Sequence, residues 1–217
     1  MSDSDSFIEE VTEEVRRDRL FALMRRYGWI GIGLVLLIVG GASWNEWQKA
    51  TARSEAEAFG DALLEATAAE PGGGRAEKLK AIAATGERGA LVAFLTAADE
   101  LAANDRPAAL AALQAVATDA SLPVSYRDLA ALKHLLVGGD SLPEADRRAV
   151  LAELSLPGRP YRVLAEEQIA LLDVESGETE AALTRLKALG EDQEATRGLL
   201  ARVSQLIVTL EGDANTE

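Results

Sequence analysis

Residues 27–47 read YGWIGIGLVLLIVGGASWNEW, and this stretch decides how the chain is organised. Residues 30–43 carry no charge, and an α-helix of about 20 residues spans a bilayer core of roughly 30 Å. Aromatic rings prefer the two bilayer interfaces, which is where the tryptophans of this stretch stand. We therefore predict a single transmembrane helix over residues 27–47. Its marker residues are Trp29, Ile30, Leu34, Val35, Leu36, Leu37, Ile38, Val39 and Trp44.

Two other interpretations of this stretch are weaker. A buried core helix would not need tryptophans at both ends. A cleaved signal peptide would have a shorter leading region than this one, which carries seven acidic residues, and cleavage after the small residues 41–43 would leave Trp44 at the new terminus. A retained anchor is the prediction.

Basic residues are unevenly distributed around the span. Within a similar distance, only Lys49 and Arg53 follow it, whereas five arginines precede it. Because Lys and Arg near a span stay on the cytoplasmic side, we expect a cytoplasmic N-terminus and a C-terminal part outside the cytoplasm. In a bacterium this describes a single-pass inner-membrane protein with a periplasmic domain. The arginines that determine this topology are Arg16, Arg17, Arg19, Arg25 and Arg26.

The span divides the chain into four predicted segments. Residues 1–26 form a cytoplasmic amphipathic and basic segment, in which apolar residues recur at helical spacing among glutamates. This segment lies along the membrane surface or docks a partner, and the pattern leaves both open. Residues 48–212 form the periplasmic domain, and residues 213–217 are a tail.

Composition excludes several classes of function. The chain has 217 residues, and residues 45–217 carry 17 Lys and Arg against 29 Asp and Glu, a net charge of −12. Such a domain repels nucleic acid and anionic lipid headgroups, so we expect no nucleic-acid binding. The chain has no cysteine, which removes disulfides, thiol nucleophiles and cysteine-bound zinc.

The domain after the span reads as helices separated by short breaks, which predicts an all-α fold. The first helix continues from the span and ends before residues 71–74, PGGG. The next segments are a short helix around Leu79, a helix over residues 90–103, and its return after Pro107, which is suited to a first helical turn. The later helices are predicted over residues 123–136, 143–154, 161–172, 181–189 and 194–210.

An internal repeat links two of the helix pairs. Residues 104–113, NDRPAALAAL, echo residues 177–186, GETEAALTRL, at an offset of 73 residues. This offset is about twice the 34-residue period of tetratricopeptide repeats plus an insertion. Small residues near each turn permit close helix approach, and each pair covers its remaining face by stacking on the next. We therefore predict a tetratricopeptide-like helical-hairpin solenoid, with residues 123–154 as its degenerate middle repeat.

The chain resembles a known family in several stretches. These are FIEEVTEEVRRDRLFALMRRYGW (residues 7–29), LPVSYRDLAAL (122–132), LPGRPYRVLAEEQIALL (156–172) and SGETEAALTRL (176–186). Together with the single anchor and the acidic helical domain, they resemble the membrane-anchored tetratricopeptide family of the ancillary Sec-translocon subunit, in its alphaproteobacterial form. The resemblance implies an inner-membrane protein that associates with Sec translocon subunits and a periplasmic chaperone and passes exported proteins onward. The family has no catalytic signature.

No constellation for catalysis is visible in the sequence. His134 is the only histidine and lies on a predicted helix, so we expect a structural or surface role. Acidic residues such as Glu166 and Glu167 are expected on solvated helix faces. We predict no enzymatic activity, no cofactor, no metal and no small-molecule substrate.

Two Tyr-Arg pairs recur at the starts of successive helix pairs. Tyr126, Arg127, Tyr161 and Arg162 are therefore candidate partner-binding residues that could face one groove. In the alternative interpretation, the tyrosines are spacers in the core between repeats. Two other functions also stay open: a scaffold for cell-wall or division machinery, and a holdase chaperone that acts directly on unfolded clients.

Overall fold

The computed structural model describes residues 3–72 and 74–214, with side chains for residues 24–31, 33–72 and 74–212. Within these ranges the secondary structure is helical and contains no strand, so the prediction of an all-α chain is confirmed. The helices are α1 (Asp3–Thr67), α2 (Arg75–Lys80), α3 (Gly86–Ala102), α4 (Arg106–Thr118), α5 (Val124–Gly138), α6 (Glu144–Leu154), α7 (Arg162–Glu175), α8 (Thr179–Gly190) and α9 (Arg197–Ala214). A 3-10 turn, Gly139–Ser141, follows α5.

The chain divides between Gly60 and Asp61 into two compact units. The first unit is helical from Asp3, which confirms a helix in the N-terminal segment, although the side chains that would form its amphipathic face lie outside the described residues. One helix of the described residues, over Met24–Thr67, is long and apolar enough to cross a membrane. None of the residues in the most apolar stretch of this helix is buried, whereas the core helix of a soluble protein is mostly buried.

The marker residues of the span are all exposed along α1. Trp29 and Leu37 are among them, and the Arg25 and Arg26 side chains are exposed just before the apolar run. The Trp44 and Trp47 rings lie 5.3 Å apart between centroids, and the Arg26 guanidinium lies 5.8 Å from the centroid of Tyr27. Aromatic and cationic side chains thus stand at both ends of an aliphatic helix that is not covered by protein.

The second unit contains the remaining helices, and most of its boundaries lie close to those predicted. Helix α3 is an exception, because it begins at Gly86 and not at residue 90. Gly89 lies inside the helix, where a Cβ atom would lie 2.9 Å from the Ala84 carbonyl oxygen. The absent side chain therefore lets the chain fold back against the start of the helix.

The last helix also differs from the prediction. It begins at Arg197, later than residue 194, and continues to Ala214, so the first two residues of the predicted tail are helical. The rest of that tail, residues 215–217, lies outside the described residues.

Hydrophobic clusters join successive helices from α3 to α9. A first pair of clusters joins α3, α4 and α5, a second joins α5, α6 and α7, and a third joins α7, α8 and α9. Helices α5 and α7 each contribute to two successive clusters. The buried members of the second cluster are Leu132, Leu135, Leu151, Leu154, Ala165, Ile169 and Leu172, and those of the third are Ala170, Ala182, Leu186, Leu189, Leu199, Val203 and Leu210.

The sequence repeat corresponds to a repeated turn. Asn104 and Gly177 both adopt the left-handed conformation, with φ of 62° and 76°. At the next position, the amide of Asp105 donates to the Glu100 carbonyl at 2.8 Å, and the amide of Glu178 donates to the Asp173 carbonyl at 2.7 Å. The following alanines of the repeat, Ala109 and Ala182, are fully buried.

Candidate functional site: a groove across α5, α7 and α9

A concavity among the described residues crosses α5, α7 and α9 and has a volume of about 580 Å³. We call it the α5–α7–α9 groove. Five leucines line it, and Leu136 is 55% exposed at its edge. The lining residues are Leu132 and Leu136 of α5, Leu164, Glu167, Gln168 and Leu171 of α7, and Arg202, Gln205, Leu206 and Thr209 of α9.

An ion pair joins two of the helices that form the groove. Both carboxylate oxygens of Glu167 accept hydrogen bonds from the Arg202 guanidinium, each at 2.7 Å. The Glu167 side chain is 6% exposed, whereas that of Arg202 is 54% exposed, and the hydrogen bond to Glu167 raises the pKa of Arg202. The prediction that Glu167 lies on a solvated face is wrong, because α9 covers the carboxylate and supplies its partner.

A second set of ion pairs fixes α7 from its other side. Asp173 is buried and accepts a hydrogen bond from Arg148 of α6 at 2.6 Å and from Arg185 of α8 at 3.3 Å. Arg185 also donates to Glu166, so this residue has a partner as well. Because α7 is tied to α6, α8 and α9, the central helix of the groove is held in place by charged groups as well as by its apolar core.

A smaller cleft of about 420 Å³ lies among α4, α5 and α6. His134 lines it and is half-buried, and burial lowers the pKa of the imidazole. Asp128 is 3% exposed, and burial raises the pKa of its carboxyl group while the Arg159 Nε atom lies 3.4 Å away. Within the described residues, no group of His, Asp and Glu side chains is arranged to hold a metal ion.

The structure separates the four candidate partner-binding residues. Tyr126 packs on the α3–α4–α5 cluster and donates from its hydroxyl to Glu87 at 3.2 Å, and Tyr161 packs on the α5–α6–α7 cluster. Arg127 lines the cleft among α4, α5 and α6. Arg162 pairs with Asp192 at 2.6 Å in a different cleft, beside α8. None of the four lines the α5–α7–α9 groove.

The groove residues were not recognised as a site from sequence. The leucines of the groove belong to apolar helical segments, and the sequence of such a segment does not distinguish a leucine that faces a groove from one that faces the core. Gln168 and Gln205 gave no signal of their own, because they are 37 residues apart and only the packing of α7 beside α9 brings them to one surface.

Comparisons with protein-family models, with curated proteins and with solved structures find no match to this chain. The candidate site therefore rests on its own geometry.

Proposed function

We propose that this protein is a non-enzymatic, membrane-anchored adaptor that binds a protein partner in the α5–α7–α9 groove. The observation that carries the proposal is the groove itself, which five leucines line and which no described segment of the chain fills. Partly exposed leucines around a well-supported concavity are typical of protein-binding surfaces. The charged pair in the groove is engaged in two hydrogen bonds between Arg202 and Glu167.

The proposed architecture of the binding domain is a tetratricopeptide-like solenoid. Two features support it: helices α5 and α7 each join two successive clusters, and the turns at Asn104 and Gly177 have the same hydrogen bonds. In a solenoid of helix pairs, alternate helices line one face. Helices α5, α7 and α9 are alternate helices, so the groove would lie on that face.

The proposed role of α1 is to tether this domain at the inner membrane, with the N-terminus cytoplasmic and the groove in the periplasm. Tethering raises the effective concentration of the domain near a membrane-bound partner, to the millimolar range for short linkers. This gain would allow a weak groove contact to act at the membrane.

The proposed partners are Sec translocon subunits at the span and a periplasmic chaperone at the groove. The support for this identity is the resemblance of the pre-span segment and the later helix phrases to the ancillary translocon subunit. The function would be to pass exported proteins from the translocon to the chaperone.

Site-specific photocrosslinking in intact membranes tests this proposal. The photoreactive side chain is placed at Leu37 in the span, at Leu136 in the groove, and at Leu156 as an exposed control outside the groove. We expect translocon adducts from Leu37 and a chaperone adduct from Leu136 that is absent from Leu156. Adducts confined to cell-wall or division proteins would identify an envelope scaffold, and adducts with many unfolded clients would identify a holdase.

A further inference from the structure

We propose that the cleft among α4, α5 and α6 is a binding site for a free α-amino acid with an apolar side chain. Asp128 holds the α-ammonium group, Arg127 holds the α-carboxylate, and the apolar wall of the cleft covers the side chain. The inference goes beyond the proposed function, because this cleft and the α5–α7–α9 groove share no described lining residue. The amino acid is bound and not converted.

The Asp128 carboxylate has one oxygen that lacks a hydrogen bond. Asp128 is 3% exposed and lines the cleft, and its buried Oδ2 atom accepts no hydrogen bond from a described residue. Arg159 Nε lies 3.4 Å from this oxygen, but it donates to the Glu153 carbonyl oxygen at 3.3 Å. The Nη2 atom of Arg159 donates to the Glu153 carboxylate at 3.2 Å. Because a buried acceptor without a donor is unfavourable, a ligand that brings an N–H group to Oδ2 is stabilised there.

Arg127, the preceding residue of α5, supplies the complementary group. It lines the same cleft, and its buried Nε atom donates no hydrogen bond to a described residue. Arg147 also has a buried Nε atom without an acceptor, but its guanidinium pairs with Glu175 at 3.0 Å outside this cleft. Successive Cα atoms lie about 3.8 Å apart, so α5 places a cation next to an anion. The ammonium and carboxylate of an α-amino acid are attached to one carbon atom and need such neighbouring partners.

The charges of the cleft favour a ligand that carries both signs. Burial lowers the pKa of His134, which keeps the imidazole uncharged at neutral pH. A simple anion would bring its charge against Asp128, and a simple cation would bring its charge against Arg127, whereas a zwitterion pairs with both. Burial also raises the pKa of Asp128 by disfavouring its charged form, and an ammonium group beside the carboxylate opposes this effect. The charged residues that line the cleft are Arg127, Asp128, Glu153 and Arg159, two of each sign.

The rest of the cleft suits an aliphatic side chain. Its volume of about 420 Å³ lies within the range of roughly 300–1,000 Å³ for small-molecule sites, which are mostly apolar with a few polar groups. At about 30 Å³ for each water, this is the volume of roughly 14 waters, so one bridging water would not cover the wall. An aliphatic side chain removes the wall from water, which is favourable. The apolar residues of the wall are Ala117, Ala131, Leu135, Ala149, Val150 and Leu154.

Isothermal titration calorimetry on the full chain in detergent tests the inference with four ligands. L-Leucine carries both charges and an aliphatic side chain. Leucinamide lacks the carboxylate, N-acetyl-leucine lacks the ammonium group, and glycine lacks the side chain. We expect saturable binding of L-leucine and at least 10-fold weaker binding of each of the other three, because each loses one of the three contacts.

Two variants test the charged residues directly. Asp128→Asn keeps the shape of the side chain and removes its charge, and Arg127→Met keeps most of the length and removes the guanidinium. Each is expected to weaken L-leucine binding at least 10-fold. Lys133→Met is the matched control, because it removes a charge from an exposed position of the same helix outside the cleft, and we expect it to leave binding unchanged.

The ligand series keeps the inference falsifiable even if a variant does not fold, because it uses the parent chain. No saturable binding of L-leucine overturns the inference and leaves a cleft that holds water only. Equal affinity for L-leucine and either N-acetyl-leucine or leucinamide also overturns it, because the charged groups would then not be recognised. An effect of Lys133→Met as large as that of Arg127→Met would place the binding outside this cleft.

Discussion

The ion pair between Glu167 and Arg202 predicts an asymmetric response to mutation. The Glu167 carboxylate is almost completely buried, whereas more than half of the Arg202 side chain reaches solvent. Arg202→Met would leave an uncompensated buried carboxylate that loses two hydrogen bonds, a change that costs about 3–5 kcal/mol. Glu167→Met removes the buried charge and leaves an arginine that turns into water, so we expect a cost below about 1 kcal/mol.

Thermal unfolding followed by far-UV circular dichroism measures this difference on the full chain in detergent. For a domain of this size, about 3–5 kcal/mol corresponds to a loss in Tm of roughly 6–20 °C, against a few degrees for Glu167→Met. Lys187→Met is the control, because its pair with Glu211 is exposed on both sides and contributes less than about 1 kcal/mol. If Glu167→Met is as destabilising as Arg202→Met, the reasoning from unequal burial is wrong.

Three further changes have expected outcomes that the same unfolding assay measures. Ala182→Leu forces a larger side chain into a fully buried position and should cost about 1–3 kcal/mol, whereas Ala181→Leu on the exposed side of the same helix should be nearly neutral. Gly177→Ala should cost about 1–2 kcal/mol because φ is 76°, and Gly177→Asn should cost less, since Asn104 holds the equivalent position; equal losses would contradict this. Burial raises the pKa of Asp128, so its contribution to stability is present below the unfolded-state pKa and is lost as pH rises through the folded value. The Tm of the parent chain relative to Asp128→Asn should therefore fall as the pH rises above the ordinary Asp pKa of about 4, and a rise would refute the assignment.

The elements that sequence predicted well are those set by local chemistry. Pro107 occupies the first turn of α4, and the Asp105 side chain caps that helix by accepting a hydrogen bond from the Ala108 amide at 3.0 Å. The repeated turns at Asn104 and Gly177 were also visible, because left-handed geometry selects asparagine and glycine. Such signals depend on residues only a few positions apart.

The groove was not predictable by the same reasoning, because it depends on tertiary packing. Glu167 and Arg202 are 35 residues apart, and neither has a local feature that indicates burial. The two Tyr-Arg pairs recur in sequence, but the helices place Arg127 and Arg162 in different clefts. Whether these residues contact a partner stays a prediction.

Labelling of single cysteines tests whether one span holds the proposed binding domain outside the cytoplasm. The chain has no cysteine of its own, so Thr12→Cys before the span and Ser54→Cys after it each provide one thiol. In intact spheroplasts, a membrane-impermeant maleimide should label Ser54→Cys and should label Thr12→Cys only after lysis. Labelling of Thr12→Cys from outside, or release of the chain from membranes by carbonate, would contradict the account.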